Sequence, residues 1–253
     1  MTITRQTLEE RPLSFSSIKE FAKSPRHYLD YISKERTAPT DAMKLGSMVH
    51  CMILTPDVFN EQFAVAPDIN KRTNAGKEEW IEFSNLNAGK TIVNNEDYEH
   101  ARKLIDGVLC NDNIYNAVKS CTSFEREWRE DIYGLPYRGF FDGESDEYIL
   151  EIKTTSDGHP KAVMSDFVKR KYHMQAGIYN QASGKKVLYL VVETSAPYLS
   201  YLAYANEKYL DLGRKDVAEL NNRFMNCLEG GDFTGGYDYH NVITIDLPWS
   251  VEK

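Results

Sequence analysis

The spacing of apolar and polar positions divides the chain into helical, strand-like and again helical stretches. Leu13-Ser14-Phe15-Ser16-Ser17-Ile18-Lys19-Glu20 predicts a helix start: Ser17 and Glu20 have capping-box spacing, and Ile18, Phe21 and Ala22 begin an apolar stripe. Pro25 interrupts it, since proline lacks the amide that a helix interior needs, and Tyr28, Leu29 and Ile32 resume an apolar face. Met43 to Leu54 predicts a second helix closed by Pro56, and Asn95 to Val118 a further one. Between them, Asp57 to Thr91 reads as a long polar, irregular excursion containing Asn70-Lys71-Arg72-Thr73-Asn74-Ala75-Gly76-Lys77. Excursions of that length are often functional.

The period then changes. Phe124 to Ile132 and Tyr137 to Phe141 are aromatic-rich and separated by Gly134-Leu135-Pro136, which predicts a hairpin. Tyr148 to Lys153 follows as a third strand after the turn Gly143-Glu144-Ser145-Asp146. Pro160 to Ala182 predicts one or two helices, Val187 to Val192 a buried strand, and Tyr198 to Tyr204 a partner for it. Asn206 to Leu228 closes with a helix stopped by Gly230-Gly231, and Tyr237, Tyr239 and Trp249 predict an irregular tail packed by its aromatics. Nothing repeats with a period of about 20–50 residues, which excludes a solenoid. The order predicts an α/β fold in one domain, 1–253, with a mixed central sheet flanked by helices. Residues 1–120 are its mainly helical N-terminal part with a long loop at about 57–91, 121–205 the sheet and helix, and 206–253 the last helix and tail.

Composition narrows the function classes. At 42% hydrophobic and 27% charged, the chain is ordinary for a globular protein. It has no run of roughly 18 apolar residues, so no membrane-spanning helix or membrane partner is expected. Met1 to Gln6 lacks the apolar stretch of a secretory signal, which points to the cytoplasm. Cys51, Cys110, Cys121 and Cys227 lie far apart without a C-x-x-C pair, against a zinc ribbon or an iron–sulfur cluster. No nucleotide cofactor is expected either. The net charge of −8 is awkward for phosphate binding, unless a local basic groove sits on an acidic body and a cation neutralises site carboxylates.

Candidate chemistry centres on Asp142 and on Glu151-Ile152-Lys153. Strand alternation places Glu151 and Lys153 on one face and Ile152 on the other. If the two strands are neighbours, Asp142 sits beside Glu151 and the pair can hold Mg²⁺ through hard oxygen ligands. Lys153 would then orient or activate the attacking water and stabilise charge on a phosphate. The pattern alone is common, and a Glu/Lys pair on a strand is usually a solvated face. Tyr148-Ile149-Leu150 strengthens it, because charges following an apolar run in a central strand need a reason.

Three further segments carry a resemblance. With Gly46-Ser47-Met48-Val49-His50, Gln175-Ala176-Gly177-Ile178-Tyr179 and Glu125, the chain resembles the PD-(D/E)XK (restriction-endonuclease-like) nuclease superfamily, in the branch of RecB-type nuclease domains and lambda exonuclease. It is most similar there to phage and prophage RecE-like (exonuclease VIII) enzymes, through Ser14 to Tyr28, Asn70 to Thr73 with Gly76, Lys77 and Trp80, and Glu151 to Thr155. One departure is Glu151, where RecE itself has aspartate; the superfamily accepts either.

The resemblance implies catalytic roles for Lys153, Asp142, Glu151, Gln175 and Tyr179. It implies a Mg²⁺ site (Mn²⁺ substituting) of His50, Asp142, Glu151 and the Ile152 backbone carbonyl, with Glu125 near a second ion. On physical grounds, His50 flanked by Val49, Met52 and Ile53 would by itself read as a core histidine, and Gln175 with Tyr179 as a polar stripe on one helix face. Gly46, one turn before His50, would allow a close approach. Arg72 in the long loop and the Lys169-Arg170-Lys171 cluster are candidate DNA-backbone contacts, or else solvated charge.

By resemblance the protein would be a 5′→3′ exonuclease on linear double-stranded DNA with free ends, producing 3′ single-stranded tails for annealing-type recombination. It would work as a homo-oligomeric ring with a RecT-like annealing partner, in a bacterial cell and of phage or prophage origin. The rivals are an endonuclease or nickase of the same fold, a silent DNA-binding module, and a metal-dependent hydrolase of small molecules.

Overall fold

A computed structural model describes residues 3–34 and 38–236. The N-terminal helices are α1 (Arg5–Glu10), α2 (Phe15–Phe21), α3 (Pro25–Ser33) and α4 (Asp41–Leu54). The capping box of α2 is Ser14 with Ser17, not Ser17 with Glu20: the Ser17 amide donates to Ser14 Oγ at 3.2 Å and the Ser14 amide to Ser17 Oγ at 2.8 Å. Starting the helix one turn early turns Ile18 and Phe21 wholly into the core and leaves Glu20 to pair with Lys23. Ser24 caps α3, whose first residue is Pro25, where a missing amide costs nothing.

Residues 57–91 are not an irregular loop. After a 3-10 turn at Pro56–Val58 come α5 (Phe59–Gln62), β1 (Phe63–Val65), α6 (Asn74–Leu86) and β2 (Thr91–Val93), and β1 pairs with β2 in parallel. Helix α6 was hidden because it packs little: Gly76 is its one buried residue, so its sequence carries no wide apolar stripe. The expected single helix from Asn95 is two, α7 (Asn95–Leu109) and α8 (Asp112–Lys119), because the Asn111 side chain accepts the Asn113 and Ile114 amides and restarts the helix.

The main sheet has the order β3 (Ser123–Ile132), β4 (Leu135–Glu144), β5 (Tyr148–Thr155), β6 (Lys186–Glu193), β7 (Ser200–Tyr204). It is mixed: β5 and β6 run parallel, connected through α9 (Pro160–Lys169) and α10 (Tyr172–Ser183), and the other neighbours are antiparallel. The hairpin between β3 and β4 turns on Tyr133 and Gly134, both at positive φ (51° and 80°), as a two-residue primed turn requires. Leu135 and Pro136, expected in the turn, therefore belong to β4.

Ile149, Val187, Tyr189 and Val191 pack one side of the sheet under α2, α10 and α11 (Glu207–Gly230), while Leu150, Ile152, Leu188 and Leu190 pack the other under α4, α7 and α8. Each such fully buried aliphatic side chain contributes roughly 1.5–3 kcal/mol of transfer free energy. The long helix α11 ends at Gly231, left-handed at φ 63°, as the glycine pair predicts. Tyr237, Tyr239 and Trp249 lie outside the described residues.

One irregularity in the sheet creates the site. Strand β4 keeps only Gly143↔Leu150 and Glu144↔Ile149 with β5, then diverges. Its freed edge bonds instead to Leu13, whose amide donates to the Pro136 carbonyl at 2.9 Å and whose carbonyl accepts from the Arg138 amide at 2.8 Å.

Candidate active site

Asp142 is the first residue past the break between β4 and β5, and its carboxylate takes the place of the lost ladder partner. Oδ2 accepts the Ile152 amide at 2.7 Å, with Asp142 only 8% exposed. Helix α4 brings His50 in from one side, its Nδ1 at 3.5 Å from the same Oδ2. Opposite Asp142 on β3, Glu125 takes a left-handed conformation (φ 49°), and the regular pairing of Phe124 with Gly143 and Arg126 with Phe141 skips this position. Non-glycine residues rarely accept such a φ, and they do so mainly where a site requires it. One donor atom each from His50, Glu125 and Asp142 lies within 4.8 Å of the others.

The expected ligand set is thus regrouped. Glu125, expected near a second ion, stands with His50 and Asp142. Glu151 turns toward Lys153, its Oε1 at 2.5 Å from Nζ, and accepts from Gln175 Nε2 at 2.7 Å. Its other oxygen, Oε2, is buried without a hydrogen-bond partner among the described residues. The Ile152 backbone faces His50 and opposes the lowering of its imidazole.

The electrostatics describe an anionic cluster short of positive charge. Burial, then the neighbouring Glu151, pushes the Asp142 carboxyl well above the usual carboxylate range, and the same two causes raise Glu125. Burial lowers His50, which favours the neutral imidazole that can act as a ligand. A buried carboxylate oxygen with no partner among the described residues, two carboxyls raised by burial and then by repulsion, and a neutral imidazole together fit a hard divalent cation. For Lys153, burial is the largest single influence and lowers the ammonium, but Glu151, Tyr172 and Asp142 together outweigh it and the group is held above its ordinary value. The Lys153 ammonium is thus kept charged.

Helix α10 braces this arrangement. Gln175 and Tyr179, one turn apart, form a relay in which Gln175 Nε2 donates to Glu151 and to the Tyr179 oxygen (3.0 Å), and Tyr179 Oη donates to the Phe140 carbonyl at 2.9 Å. They tie β5 to β4 across the gap between the strands. Burial keeps the Tyr179 phenol well above its ordinary pKa, hence a neutral donor.

A cleft of about 1040 Å³ opens over the site, bounded by Gly46, His50, Glu125, Phe140, Thr154 and Arg170. Of the basic candidates Arg170 lines it, although its Nε is held by Asp166 at 2.6 Å; Lys169 is exposed and Lys171 takes the left-handed position that opens α10. Arg72 is exposed in the turn before α6 and does not line the cleft. Gly46 needs no special approach, since a Cβ there would meet Thr154 Oγ1 at an ordinary 3.6 Å. Tyr172, to which the sequence assigns no role, places its ring 4.3 Å from Lys153 Nζ and 6.2 Å from the ring of Phe15. An aromatic just after a basic run was the one available signal.

A diverging mixed sheet with acids from two strands, a helix-borne histidine and a lysine held by its neighbouring glutamate defines a metal-dependent, nuclease-like enzyme of the PD-(D/E)XK superfamily. The chain belongs to the family described as the PDDEXK-like domain of unknown function (DUF3799), whose model matches residues 14–236. Among solved structures it is similar to an Eubacterium rectale protein provisionally described as an exonuclease, at 13% identity and a TM-score of 0.60, covering 100% of this chain and 98% of that one. It is also similar to LHK-Exo in complex with dAMP, at 11% identity and a TM-score of 0.32, covering 73% and 89%. No curated protein matches the sequence. No helix among the described residues is long and apolar enough to cross a membrane.

Proposed function

We propose that this protein is a Mg²⁺-dependent 5′→3′ exonuclease acting on free ends of double-stranded DNA and leaving 3′ single-stranded tails for recombination by annealing. The observation that carries the nuclease reading is the convergence of His50, Glu125 and Asp142 beside the Glu151–Lys153 pair. The polarity, a homo-oligomeric ring, a RecT-like partner and a phage or prophage origin rest on the resemblance of the motifs to RecE-like enzymes.

In this reading His50, Glu125 and Asp142 hold the divalent ion, and Glu151, with its free Oε2, and the Ile152 carbonyl complete its surroundings. A bound Mg²⁺ supplies Lewis acidity and charge to a phosphodiester. The residues themselves do the positioning. Glu151 holds the Lys153 ammonium beside the site, where it can donate to a non-bridging phosphate oxygen and to the attacking water. Gln175 fixes Glu151, and Tyr179 fixes Gln175.

The test is digestion of linear duplexes labelled separately at each end, with Mg²⁺ or EDTA, by the wild type and by Lys153→Ala. Metal-dependent loss of the 5′ label, absent in the variant, is expected. Loss of the 3′ label first overturns the polarity, breakdown of closed circles overturns the exonuclease reading in favour of an endonuclease, and full activity in Lys153→Ala overturns the site.

A further inference from the structure

The outer face of the β3–β4 hairpin extends the site in a direction that neither its motifs nor its metal donors mark. Residues two apart on a strand share a face, and in this hairpin each is set against its cross-strand partner. Outward from Glu125 and Asp142, the successive pairs on that face are Glu127↔Phe140 and Arg129↔Arg138. Phe140 borders the cleft and is 50% exposed, unusually open for a phenylalanine in the middle of a ten-residue strand. Beyond it two arginines stand directly opposite each other. Like charges in that relation destabilise a hairpin.

No compensating acid accounts for the arrangement. Arg129 reaches Glu127 only at 3.4 Å with both side chains largely in water, and such a pair contributes little. Arg138 has no ion pair or side-chain hydrogen bond within the described residues. The charge on this face is therefore available to a polyanion, on a protein whose net charge of −8 otherwise repels one.

We infer that Arg129 and Arg138, with Phe140 between them and the metal donors, form a second nucleic-acid contact along which one strand of the substrate leaves the catalytic cleft. This rests on the nuclease reading and supplies the DNA path that it lacks. Four residues of extended strand separate Asp142 from Arg138, about 13 Å at roughly 3.3 Å per residue. That corresponds to about four base steps of B-form duplex at ~3.4 Å each, so the arginines meet backbone phosphates away from the scissile one. Phosphate contacts of this kind add affinity and position without reading sequence. Phe140 offers a ring face or edge to a base that has left the stack.

The test compares the wild type with the double variant Arg129→Gln/Arg138→Gln, and with Arg129→Lys/Arg138→Lys as the charge-conserving control. Binding of a fluorescent 30-base-pair duplex is measured by anisotropy in EDTA across a salt series, and turnover is measured with Mg²⁺ on that duplex and on a thymidine nitrophenyl phosphodiester. The glutamine pair should lower the slope of log affinity against log salt by about 1.8, at ~0.9 for each phosphate no longer neutralised. It should raise KM on the duplex at least tenfold and leave turnover of the small diester unchanged, while the lysine pair keeps the wild-type slope. An unaltered slope and KM in the glutamine pair overturn the inference even while the wild type cuts DNA. Equal loss on duplex and small diester also overturns it, by showing damage to the catalytic centre. A wild type that cleaves neither substrate overturns the nuclease reading instead. Should the glutamine pair fail to fold, Arg138→Gln alone is read by the same slope, with an expected fall of about 0.9.

Discussion

Asp142 Oδ2 accepts the backbone amide of Ile152 at 2.7 Å, so a carboxylate that the sequence marks as a ligand also closes the hydrogen-bond ladder that β4 and β5 fail to complete. The same atom faces His50 and lies in the anionic cluster. An ion held by this cluster would thereby be coupled to the sheet geometry through one side chain.

That coupling predicts a trade between stability and function at Asp142. Its carboxyl is raised in the folded state by burial and by Glu151, so the folded protein binds that proton more tightly than the unfolded chain. Stability from this group is thus greatest at low pH and declines as pH rises from the ordinary aspartate value through the raised one. Without divalent ions at neutral pH, Asp142→Asn removes the penalty while its amide oxygen still accepts the Ile152 amide. The variant is expected to melt higher than wild type in EDTA, to cleave no DNA, and to lose the rise in Tm that millimolar Mg²⁺ gives the wild type. A calorimetric scan of both proteins with and without Mg²⁺, alongside a nuclease assay, checks all three, and an unchanged Mg²⁺-dependent shift in the variant would remove Asp142 from the ion site.

Lys153 and Glu151 form a buried pair in which each partner makes the other's charge tolerable. Removing one leaves an uncompensated charge, an effect worth about 3–5 kcal/mol where such pairs have been broken. Lys153→Met should therefore lower both stability and turnover, whereas Lys153→Met with Glu151→Gln should recover most of the stability and none of the turnover. Denaturant melts alongside nuclease assays separate the two effects; a double variant no more stable than the single would show that the pair is not electrostatically coupled.

How much of this was legible in the sequence depended on how local each signal was. Asp142, Glu151 and Lys153 could be read from an acid ending one strand and an acid–apolar–lysine triplet in the next, because alternation fixes which side chains share a face. Their exact company could not. Glu125 stands beside His50 and Asp142 because its backbone takes a left-handed turn inside a strand, and no residue type in Phe124-Glu125-Arg126 announces that. Glu151 turns away toward Lys153 and Gln175 for a tertiary reason, the arrival of α10 over β5. Helix α6 failed for the opposite cause: a helix that buries only Gly76 has no apolar stripe to read. The basic run Lys169 to Lys171 is visible by its density, whereas Arg138, without an ion pair among the described residues, stands out only once the register of β3 and β4 is known.

Away from the site, Glu144 fixes the hairpin to the sheet. Arg126 Nε at 2.5 Å and Lys185 Nζ at 2.9 Å both bond its carboxylate, and these bonds hold its pKa below the ordinary glutamate value. A depressed acid contributes stability that is complete above the unfolded pKa and disappears as pH falls through the folded one. Glu144→Gln should therefore reduce stability at pH 7 and flatten the decline of Tm between about pH 5 and pH 3, so that the two proteins converge at the acid end. Melting curves across that range test it, and parallel curves would assign the acid sensitivity to other carboxylates.

Helix α10 can reach the site only because it lies unusually close to α11. A Cβ on Gly213 would stand 1.8 Å from the His173 carbonyl oxygen, and one on Gly177 would stand 2.7 Å from the Arg214 amide nitrogen. Both obstacles are backbone, which cannot rotate aside, so the helices must separate if either glycine gains a side chain. Gly177 lies between Gln175 and Tyr179, and any outward shift of α10 lengthens the bonds to Glu151 and to the Phe140 carbonyl. Gly177→Ala is expected to cost stability on the scale of overpacking, about 1–3 kcal/mol, and to lower kcat by at least tenfold while leaving KM for duplex DNA nearly unchanged. Gln175→Ala should reproduce the kcat loss with a smaller fall in Tm, because it removes the bond to Glu151 without parting the helices. If Gly177→Ala loses stability but keeps kcat, the relay from Tyr179 to Glu151 does not position a carboxylate that the reaction uses.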